Sequence, residues 1–202
     1  MSVRSLVLLL PLVLAGACGG PPPLTPLDDD AVILAFGDSL THGTGAAAGD
    51  AYPEALAELT GLRVVNDGVP GEVTRLGLAR LPASLAAHRP DLVVLVHGGN
   101  DILRRQSGRA AADNLARMID LIRADGAQVV MLAVPGPSLT LAPPAWYEEV
   151  AKAHGVPMDD GILSSLMRDA SMKSDQVHFN RAGYRRMAEA VLALLRDAGA
   201  LK

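Results

Sequence analysis

The chain has 202 residues, of which 50% are hydrophobic and 20% are charged, a balance typical of a folded globular protein rather than a disordered one. The formal net charge of −4, the lack of a basic run and an aromatic content of only 3% argue against a nucleic-acid partner. A single cysteine excludes an internal disulfide and a zinc cluster held by thiolates, and no apolar run reaches the roughly 18 residues that a membrane-spanning helix needs. The length suits one domain with a sizeable core.

Residues 1–17 have the pattern of a secretory signal peptide. Arg4 makes the start of the chain positive, residues 6–14 form a short apolar stretch interrupted by Pro11, and small residues occupy positions 15–17. Because the apolar stretch is too short to span a membrane, we expect export from a bacterial cell and removal of this segment.

Two outcomes of signal processing compete. Ala15 and Ala17 fit ordinary signal cleavage, which would release a soluble secreted protein. The run Ala-Gly-Ala-Cys at 15–18 also resembles a bacterial lipobox, in which the cysteine becomes the lipidated N-terminus. We favour lipidation of Cys18, because the only cysteine of the chain follows the cleavage pattern directly. We therefore expect a membrane-anchored lipoprotein that faces the periplasm.

Residues 18–30 join this segment to the rest of the chain. They contain prolines at positions 21–23 and 26 and end in three aspartates. Proline favours an extended, semi-rigid backbone of about 3 Å per residue. We expect a linker that lies outside the fold, with the folded domain over residues 31–202.

From residue 31 the chain alternates between short apolar runs and helical patterns. The apolar runs are rich in β-branched residues and apolar on both faces, as buried parallel strands are. They predict five strands, at residues 31–36, 62–66, 92–96, 129–134 and, more briefly, 156–158.

The segments between these strands predict helices. They lie at residues 52–60, 73–88, 115–122, 144–154 and between Asn180 and Gly199, the second of them broken around Pro82. Alternating strands and helices predict an α/β protein, a three-layer α/β/α sandwich with a five-stranded parallel sheet. By analogy with flavodoxin-like folds, we expect the strand order 2-1-3-4-5.

The ends of the strands indicate where function lies. In open parallel sheets, ligands bind in the crevice beyond the carboxyl ends of the strands. The segments that follow the first four predicted strands are residues 37–40, 66–71, 98–101 and 135–137. Three of these segments place polar residues among glycines, which let backbone approach a ligand and expose N–H donors.

Ser39 follows the first strand at a predicted strand-to-helix turn and is a candidate nucleophile. A serine hydroxyl needs a neighbouring base, and His178, just before the last helix, is the best placed histidine. Asp175 precedes His178 by three residues, a spacing that lets a carboxylate bind one ring nitrogen and leave the other free to accept the serine proton.

Acyl transfer also needs hydrogen-bond donors for the negative oxygen that develops during the reaction. The backbone N–H of Gly71 follows the second strand, and the side-chain amide of Asn100 follows the third. The backbone N–H of Ser39 is a third candidate. Together they predict an oxyanion hole built from three neighbouring loops.

Four motifs resemble those of the SGNH, or GDSL, hydrolases. Gly-Asp-Ser-Leu at 37–40 resembles the first block of the family, Asn-x-Gly-x-x-Gly at 66–71 the second, Gly-Gly-Asn-Asp at 98–101 the third and Asp-x-x-His at 175–178 the last. Each motif alone is weak, but the four occur in the order of the family across essentially all of residues 31–202.

This resemblance implies the SGNH hydrolase fold and assigns roles to the candidates. Ser39 would be the nucleophile, His178 the base and Asp175 the residue that orients the base. Gly71 and Asn100 would form the oxyanion hole with the backbone of Ser39. Such a site needs no cofactor and no metal.

The stretch from Gly98 to Arg105 most resembles the bacterial arylesterase, thioesterase and lysophospholipase branch of the family. This implies hydrolysis of aryl or short-chain carboxylic esters, lysophospholipids or thioesters through an acyl-enzyme. The expected partner is a small-molecule ester, and we expect a monomer. A carbohydrate acetylesterase on the same fold is the alternative. Phe179 departs from the family, since many relatives have proline there, and the local turn is left open.

A nucleotide-binding module without catalytic activity is a rival from another class. Gly43, Gly45 and Gly49 faintly resemble a dinucleotide-binding loop, and Asp67 lies downstream where an acidic residue could bind a ribose. However, the last glycine comes one residue late, and the motif begins too far beyond the first strand. We interpret this segment as a loop of the cleft.

Other polar residues near the motifs have simpler interpretations. His42, three residues after Ser39, is the only rival base, and we expect it to line the cleft instead. Asp38 and Asp101 are expected to anchor loops by hydrogen bonds. His97 ends a strand and is expected to be buried and satisfied.

Three further side chains belong either to the site or to helix packing. Trp146 either walls an acyl pocket or packs a helix, and the sequence leaves both open. His88 and His154 are expected near the carboxyl ends of helices, where the helix dipole favours a cation.

Overall fold

The computed structural model describes residues 20–202, and the predicted signal peptide and Cys18 lie outside these described residues. Five parallel strands form one sheet in the order β2-β1-β3-β4-β5, which confirms the expected order. The strands are β1 (Val32–Gly37), β2 (Arg63–Gly68), β3 (Leu92–Val96), β4 (Gln128–Leu132) and β5 (Met158–Asp159).

Eight α-helices fill the connections within residues 20–202. They are α1 (Ser39–His42), α2 (Tyr52–Thr60), α3 (Thr74–His88), α4 (Gly99–Leu103), α5 (Gly108–Ala124), α6 (Trp146–His154), α7 (Ile162–Arg168) and α8 (Arg181–Asp197). Helix α2 packs on α8, whereas α3 packs on α5 and α5 on α6, so the helices form two groups around the sheet. None of the helices in this part of the chain is long and apolar enough to cross a membrane.

The core lies in the middle of the sheet. Every residue of β3 is fully buried, because β3 is flanked by β1 and β4 and covered by helices. A central strand is expected to be apolar at each position, because the side chains on both of its faces are buried. The carboxyl ends of β1 and β3 are therefore held rigidly, and the segments that follow them begin from fixed points.

Helix α3 differs from the prediction of a break around Pro82. It runs without interruption from Thr74 to His88. Proline removes one backbone N–H donor and costs about 3 kcal/mol inside a helix. Pro82 lies on the exposed side, while Leu81 and Leu85 beside it are buried in the core. The apolar face of the helix therefore offsets the cost of the proline.

The segment 18–30 also differs from the expected spacer where the structure describes it. The N–H of Leu24 donates to the carbonyl of Ala198 at 2.7 Å. Thr25 exchanges two hydrogen bonds with the side-chain amide of Gln128, at 2.6 and 2.9 Å. Extended proline-rich backbone has no internal hydrogen bonds, and the last carbonyls of a helix lack partners, so the two satisfy each other. The chain thus joins the fold before residue 31.

Candidate active site

The turn after β1 presents Ser39 as the first residue of α1. Asp38 caps this helix, because its carboxylate accepts the N–H of Leu40 at 3.1 Å. Gly37 lies against the carbonyl of Val96 on the neighbouring strand so closely that a Cβ would overlap it. The local structure therefore explains the Gly-Asp-Ser-Leu sequence. Glycine permits the close approach of the two strands, and aspartate caps the turn that exposes the serine.

Ser39, His178 and Asp175 form a continuous hydrogen-bonded chain. The Oγ of Ser39 lies 3.0 Å from Nε2 of His178, and Nδ1 of His178 lies 2.7 Å from Oδ2 of Asp175. A carboxylate only accepts hydrogen bonds, so Nδ1 carries the proton and Nε2 is left to accept the hydroxyl proton of the serine. This is the arrangement that activates a serine nucleophile.

Backbone N–H groups of the loop that carries Asp175 stabilise the negative charge of its carboxylate. Its Oδ1 accepts the N–H groups of Val177 and His178, each at 2.8 Å. Burial alone would raise the pKa of Asp175, but the hydrogen bonds from the His178 ring and from these two N–H groups outweigh it and lower the pKa to about 2. The carboxylate is therefore ionised at neutral pH and fixes the ring of His178.

Packing of Phe179 holds the turn that the sequence leaves open. Its side chain is fully buried and meets the ring of Tyr184 edge-on, with the ring centres 5.6 Å apart. Its backbone also pairs with Lys173 as an antiparallel bridge. The turn that presents His178 is therefore anchored without a fixed proline ring.

The three candidate oxyanion donors line the same cavity as His178. Within residues 20–202, the backbone N–H groups of Ser39 and Gly71 donate to no other protein group. Gly71 has a φ of +77°, a left-handed conformation that glycine adopts without strain. Both N–H groups are therefore available to an oxygen atom placed beside Ser39.

Asn100 lines the cavity, but its side-chain amide is not the free donor that was expected. Its Nδ2 donates to Oδ2 of Asp38 at 3.1 Å and to the carbonyl of Glu72 at 3.0 Å. Both amide hydrogens thus have protein partners. Asp38 is buried, and burial raises the pKa of its carboxyl group despite the hydrogen bonds from Leu40 and Asn100. A ligand oxygen would have to share the amide of Asn100 with these acceptors.

The remaining motif residues shape the loops. Oδ1 of Asn66 accepts the N–H of Gly68 at 3.2 Å, and its Nδ2 donates to Glu54 at 3.1 Å. A Cβ on Gly68 would overlap the backbone of His42, so β2 and α1 touch at this point. Asn66 and Gly68 therefore position the second loop and do not face the reacting atoms.

The cavity has a volume of about 530 Å³, within the range of small-molecule sites. Its lining combines apolar side chains with hydrogen-bonding groups. The apolar lining residues include Leu103, Val134, Pro135, Pro137, Leu141 and Met167, and the polar ones include Ser39, Asn100, Lys173, Gln176 and His178. This combination suits a ligand that has both an apolar chain and a polar reacting group.

The alternative base is not supported by the geometry. His42 is exposed, does not line the cavity and makes no hydrogen bond to Ser39 among the described residues. The prediction that His42 lines the cleft is therefore wrong, because α1 turns its last residue towards solvent. Asp101 anchors a loop as expected, since its two oxygens accept from the N–H and the hydroxyl of Thr74 at 2.8 and 2.7 Å.

Three histidines lie where the sequence predicts structural roles for them. His97 is fully buried and hydrogen bonded, and His88 and His154 are the last residues of α3 and α6. Trp146 stacks on Tyr147 with the ring centres 3.8 Å apart and does not line the cavity, so it packs a helix.

The glycine-rich segment 43–49 belongs to the cleft. Gly43 ends α1, whereas a dinucleotide loop begins at the end of a strand. Thr44 lines the cavity, and its carbonyl accepts the hydroxyl of Tyr184 at 2.7 Å. Gly45 packs against Ser174 in the loop of the catalytic histidine candidate. This supports a cleft loop over a nucleotide-binding loop.

Two charged residues behind the site were missed from the sequence. Glu72 follows Gly71 and is almost completely buried, and Nε of Arg80 lies 2.9 Å from its carboxylate. The position of Glu72 directly after the second motif was a signal that could have been used. Arg80 has no such signal, because it is one of two arginines on a helix and belongs to none of the motifs.

Comparison with known proteins places this geometry in a family. The model of the GDSL-like Lipase/Acylhydrolase family matches residues 35–186, which is most of the chain. The crystal structure of TesA superposes with a TM-score of 0.76 at 30% sequence identity, covering 83% of this chain and 99% of TesA.

Curated relatives that match this chain in sequence are named as hydrolases of the same kind. The arylesterase of Vibrio mimicus is 37% identical over 110 residues, which are 52% of this chain and 55% of that protein. The thioesterase 1/protease 1/lysophospholipase L1 of Escherichia coli K12 is 30% identical over 157 residues, or 74% of this chain and 76% of that protein. The alignment with the arylesterase thus spans little more than half its length. The family match covers all four motifs and the hydrogen-bonded serine, histidine and aspartate, and the chain belongs to the GDSL-like lipase/acylhydrolase family.

Proposed function

We propose that this protein is a serine esterase that cleaves carboxylic esters through an acyl-enzyme on Ser39. The observation that carries the proposal is the hydrogen-bonded chain from Ser39 through His178 to Asp175 at the wall of a 530 Å³ cavity. Relatives named as an arylesterase and as a thioesterase and lysophospholipase support ester bonds as the target.

The first step is attack by Ser39. Its Oγ adds to the ester carbonyl while Nε2 of His178 takes the hydroxyl proton, and Asp175 stabilises the imidazolium that forms. His178 then returns the proton to the leaving alcohol or thiol, and the ester bond breaks. Water repeats the sequence on the acyl-enzyme, with His178 as its base, and releases the acid.

The negative oxygen of the tetrahedral intermediate is placed beside two free N–H groups. The backbone N–H groups of Ser39 and Gly71 have no other partner in the described chain and provide the first two donors. Asn100 takes part by sharing the amide hydrogen that it donates to Asp38 in the resting site. Its second hydrogen stays on the carbonyl of Glu72 and keeps the amide in place.

The apolar lining residues of the cavity favour acyl chains over acetylated sugars. Val134, Leu141 and Met167 offer a surface for an aryl or aliphatic group, and burying it stabilises binding by roughly 25 cal/mol per Å². We therefore propose aryl or short-chain esters, lysophospholipids or thioesters as substrates of a monomeric enzyme. A carbohydrate acetylesterase is the alternative.

The test combines covalent labelling with a substrate panel. An organophosphate is expected to label Ser39 in the wild type, with peptide mass spectrometry as the readout. Ser165 is exposed on α7 away from the cavity, so Ser165→Ala serves as a matched control that labels normally. Esters of acyl length two to twelve and acetylated xylan then separate the two substrate classes. Label on another serine would overturn the proposal, and preference for xylan acetate would select the alternative.

We also propose that the protein is exported and lipidated at Cys18 after removal of residues 1–17. The contacts of Leu24 and Thr25 attach this end of the chain beside the carboxyl end of α8 and the start of β4. The catalytic loops lie at the opposite end, and the 17 residues of α8 separate the two by about 25 Å. An anchor at Cys18 would therefore hold the cleft facing away from the bilayer.

A further inference from the structure

A buried acidic residue directly follows Gly71, one of the candidate oxyanion donors. Glu72 follows Gly71, is only 6% exposed and does not line the cavity. Its carboxylate lies 2.9 and 3.0 Å from Nε of Arg80 and 3.1 Å from Nε2 of His97. Burial raises the pKa of Glu72, but the hydrogen bonds from His97 and Arg80 outweigh it and lower the pKa. The charge is therefore kept and paired.

His97 carries this contact to the other side of the oxyanion hole. It directly follows β3, precedes Gly98, Gly99 and Asn100 in the chain, and is fully buried. The N–H of Gly98 donates to its Nδ1 at 3.0 Å, so Nε2 carries the ring proton and donates a hydrogen bond to the carboxylate of Glu72. The tautomer of His97 is thus set by the loop that it holds.

Helix α3 makes room for this imidazole. Gly77 is the fourth residue of α3, and glycine is a poorer helix former than alanine. A Cβ at this position would overlap the ring of His97. The helix thus has a residue that is poor for helix stability at the one place where the histidine needs space.

Arg80 connects the same carboxylate to the strand ends beneath Ser39. Its guanidinium pairs with Asp67 at 2.8 Å and donates to the carbonyls of Asp67 and Gly37 at 2.9 and 3.3 Å. It also lies over the ring of Phe36, 4.0 Å from the ring centre. Gly37 is two residues before Ser39, so the arginine links the nucleophile's turn to Glu72.

We propose that Glu72, His97 and Arg80 are positioning residues that set the oxyanion hole, because they hold the loops of Gly71 and Asn100 in register with the turn of Ser39. The proposal rests on the proposed esterase function. Glu72 contacts the Asn100 loop through both its backbone and its side chain. Its backbone carbonyl accepts a hydrogen bond from Asn100, and its carboxylate accepts one from His97, which precedes that loop.

The test compares His97→Leu with His97→Gln on a p-nitrophenyl ester. Leucine fills the space without a donor, whereas glutamine keeps an amide hydrogen where Nε2 of His97 lies. We expect His97→Leu to lower kcat about tenfold with KM within twofold, because the donors act mainly on the transition state, and His97→Gln to recover most of the loss. His88→Leu, at the end of α3 and outside the network, is the matched control with unchanged kinetics.

Active-site titration with an organophosphate separates positioning from simple loss of folded protein. The proposal requires a lower kcat for each titrated site. It is overturned if His97→Leu turns over like the wild type, or if only the number of titrated sites falls. The double variant Glu72→Gln/His97→Leu should lose less than the product of the two single losses, since both act through one contact, and full multiplication would contradict it. Ser39→Ala, tested in parallel, reports on the esterase function itself.

Discussion

His178 places its Nε2 atom 3.0 Å from Oγ of Ser39, although 139 positions separate the two residues in the chain. The parallel sheet produces this meeting. Ser39 follows the carboxyl end of β1, and His178 precedes α8, which returns antiparallel to the strands, so both lie at the same edge of the sheet. The loops at this end of the sheet therefore bring the two groups together.

The first prediction concerns the tautomer of His178. In Asp175→Asn the amide replaces an obligate acceptor, so the ring can present Nε2–H to Ser39 and lose its function as a base. We expect kcat to fall by about 10³–10⁴ with little change in KM. Asp160→Asn, an exposed aspartate away from the site, is the control. A kcat within tenfold of the wild type would show that Asp175 does not set the tautomer.

The second prediction concerns acid stability. The pKa of Asp175 is lowered from 3.8 to about 2, so its contribution to stability is complete above about pH 4 and is lost as the pH falls towards 2. The difference in Tm between the wild type and Asp175→Asn should therefore be larger at pH 5 than at pH 2. Thermal unfolding across this range measures it. A difference that stays constant or widens towards low pH would contradict the lowered pKa.

The third prediction concerns the contact between β2 and α1. In Gly68→Ala the new methyl group overlaps the backbone of His42 and must displace the helix that begins with Ser39. We expect a loss of about 1–3 kcal/mol in the free energy of unfolding, together with lower kcat. Gly161→Ala is the matched control, because no atom lies within 4 Å of its added Cβ. Equal unfolding midpoints in urea for the two variants would refute the close approach.

The fourth prediction concerns the N-terminal segment beside β4. Gln128→Ala removes the two hydrogen bonds to Thr25, so proteolysis within residues 20–30 should become faster. Each bond is worth about 0.5–1.5 kcal/mol, and kcat should not change because the contact lies far from the cleft. Gln106→Ala, an exposed glutamine whose side chain makes no hydrogen bond within the described chain, is the control. Unchanged proteolysis of Gln128→Ala would show that the segment is not held there.

The fifth prediction concerns orientation on a membrane. Trp146 is the only tryptophan and lies near Gly98, at the cleft end of the molecule. When the protein is coupled to vesicles through Cys18, brominated lipids should leave its fluorescence unquenched. A Trp146→Phe/Lys152→Trp variant moves the tryptophan towards the N-terminal segment and should be quenched. Quenching of Trp146 in the unmodified chain would reverse the proposed orientation. Mass spectrometry of the native protein tests the lipid on Cys18 separately.

Much of the architecture could be predicted, because it depends on local patterns. Strand β3 and helix α2 have their predicted bounds, since an apolar run flanked by polar residues and a helix ended by Gly61 leave little choice. The pairing of Asp175 with His178 was also predictable from their spacing. In each case the residues that decide the structure are close together in the sequence.

What was missed depends on contacts between distant residues. The partners of Glu72 lie on α3 and at the end of β3, and no periodicity connects them. The N-terminal segment binds the backbone carbonyl of Ala198, an interaction that carries no side-chain signal. Helix α3 continues through Pro82 because its buried face packs on the core, a tertiary effect that exceeds the local preference.

Turnover of a p-nitrophenyl ester by Ser39→Ala, measured beside Ser165→Ala, tests the central claim most directly. The serine esterase mechanism predicts that Ser39→Ala loses on the order of 10⁶ in kcat while Ser165→Ala keeps the rate of the wild type. Turnover by Ser39→Ala close to that of the wild type would contradict it.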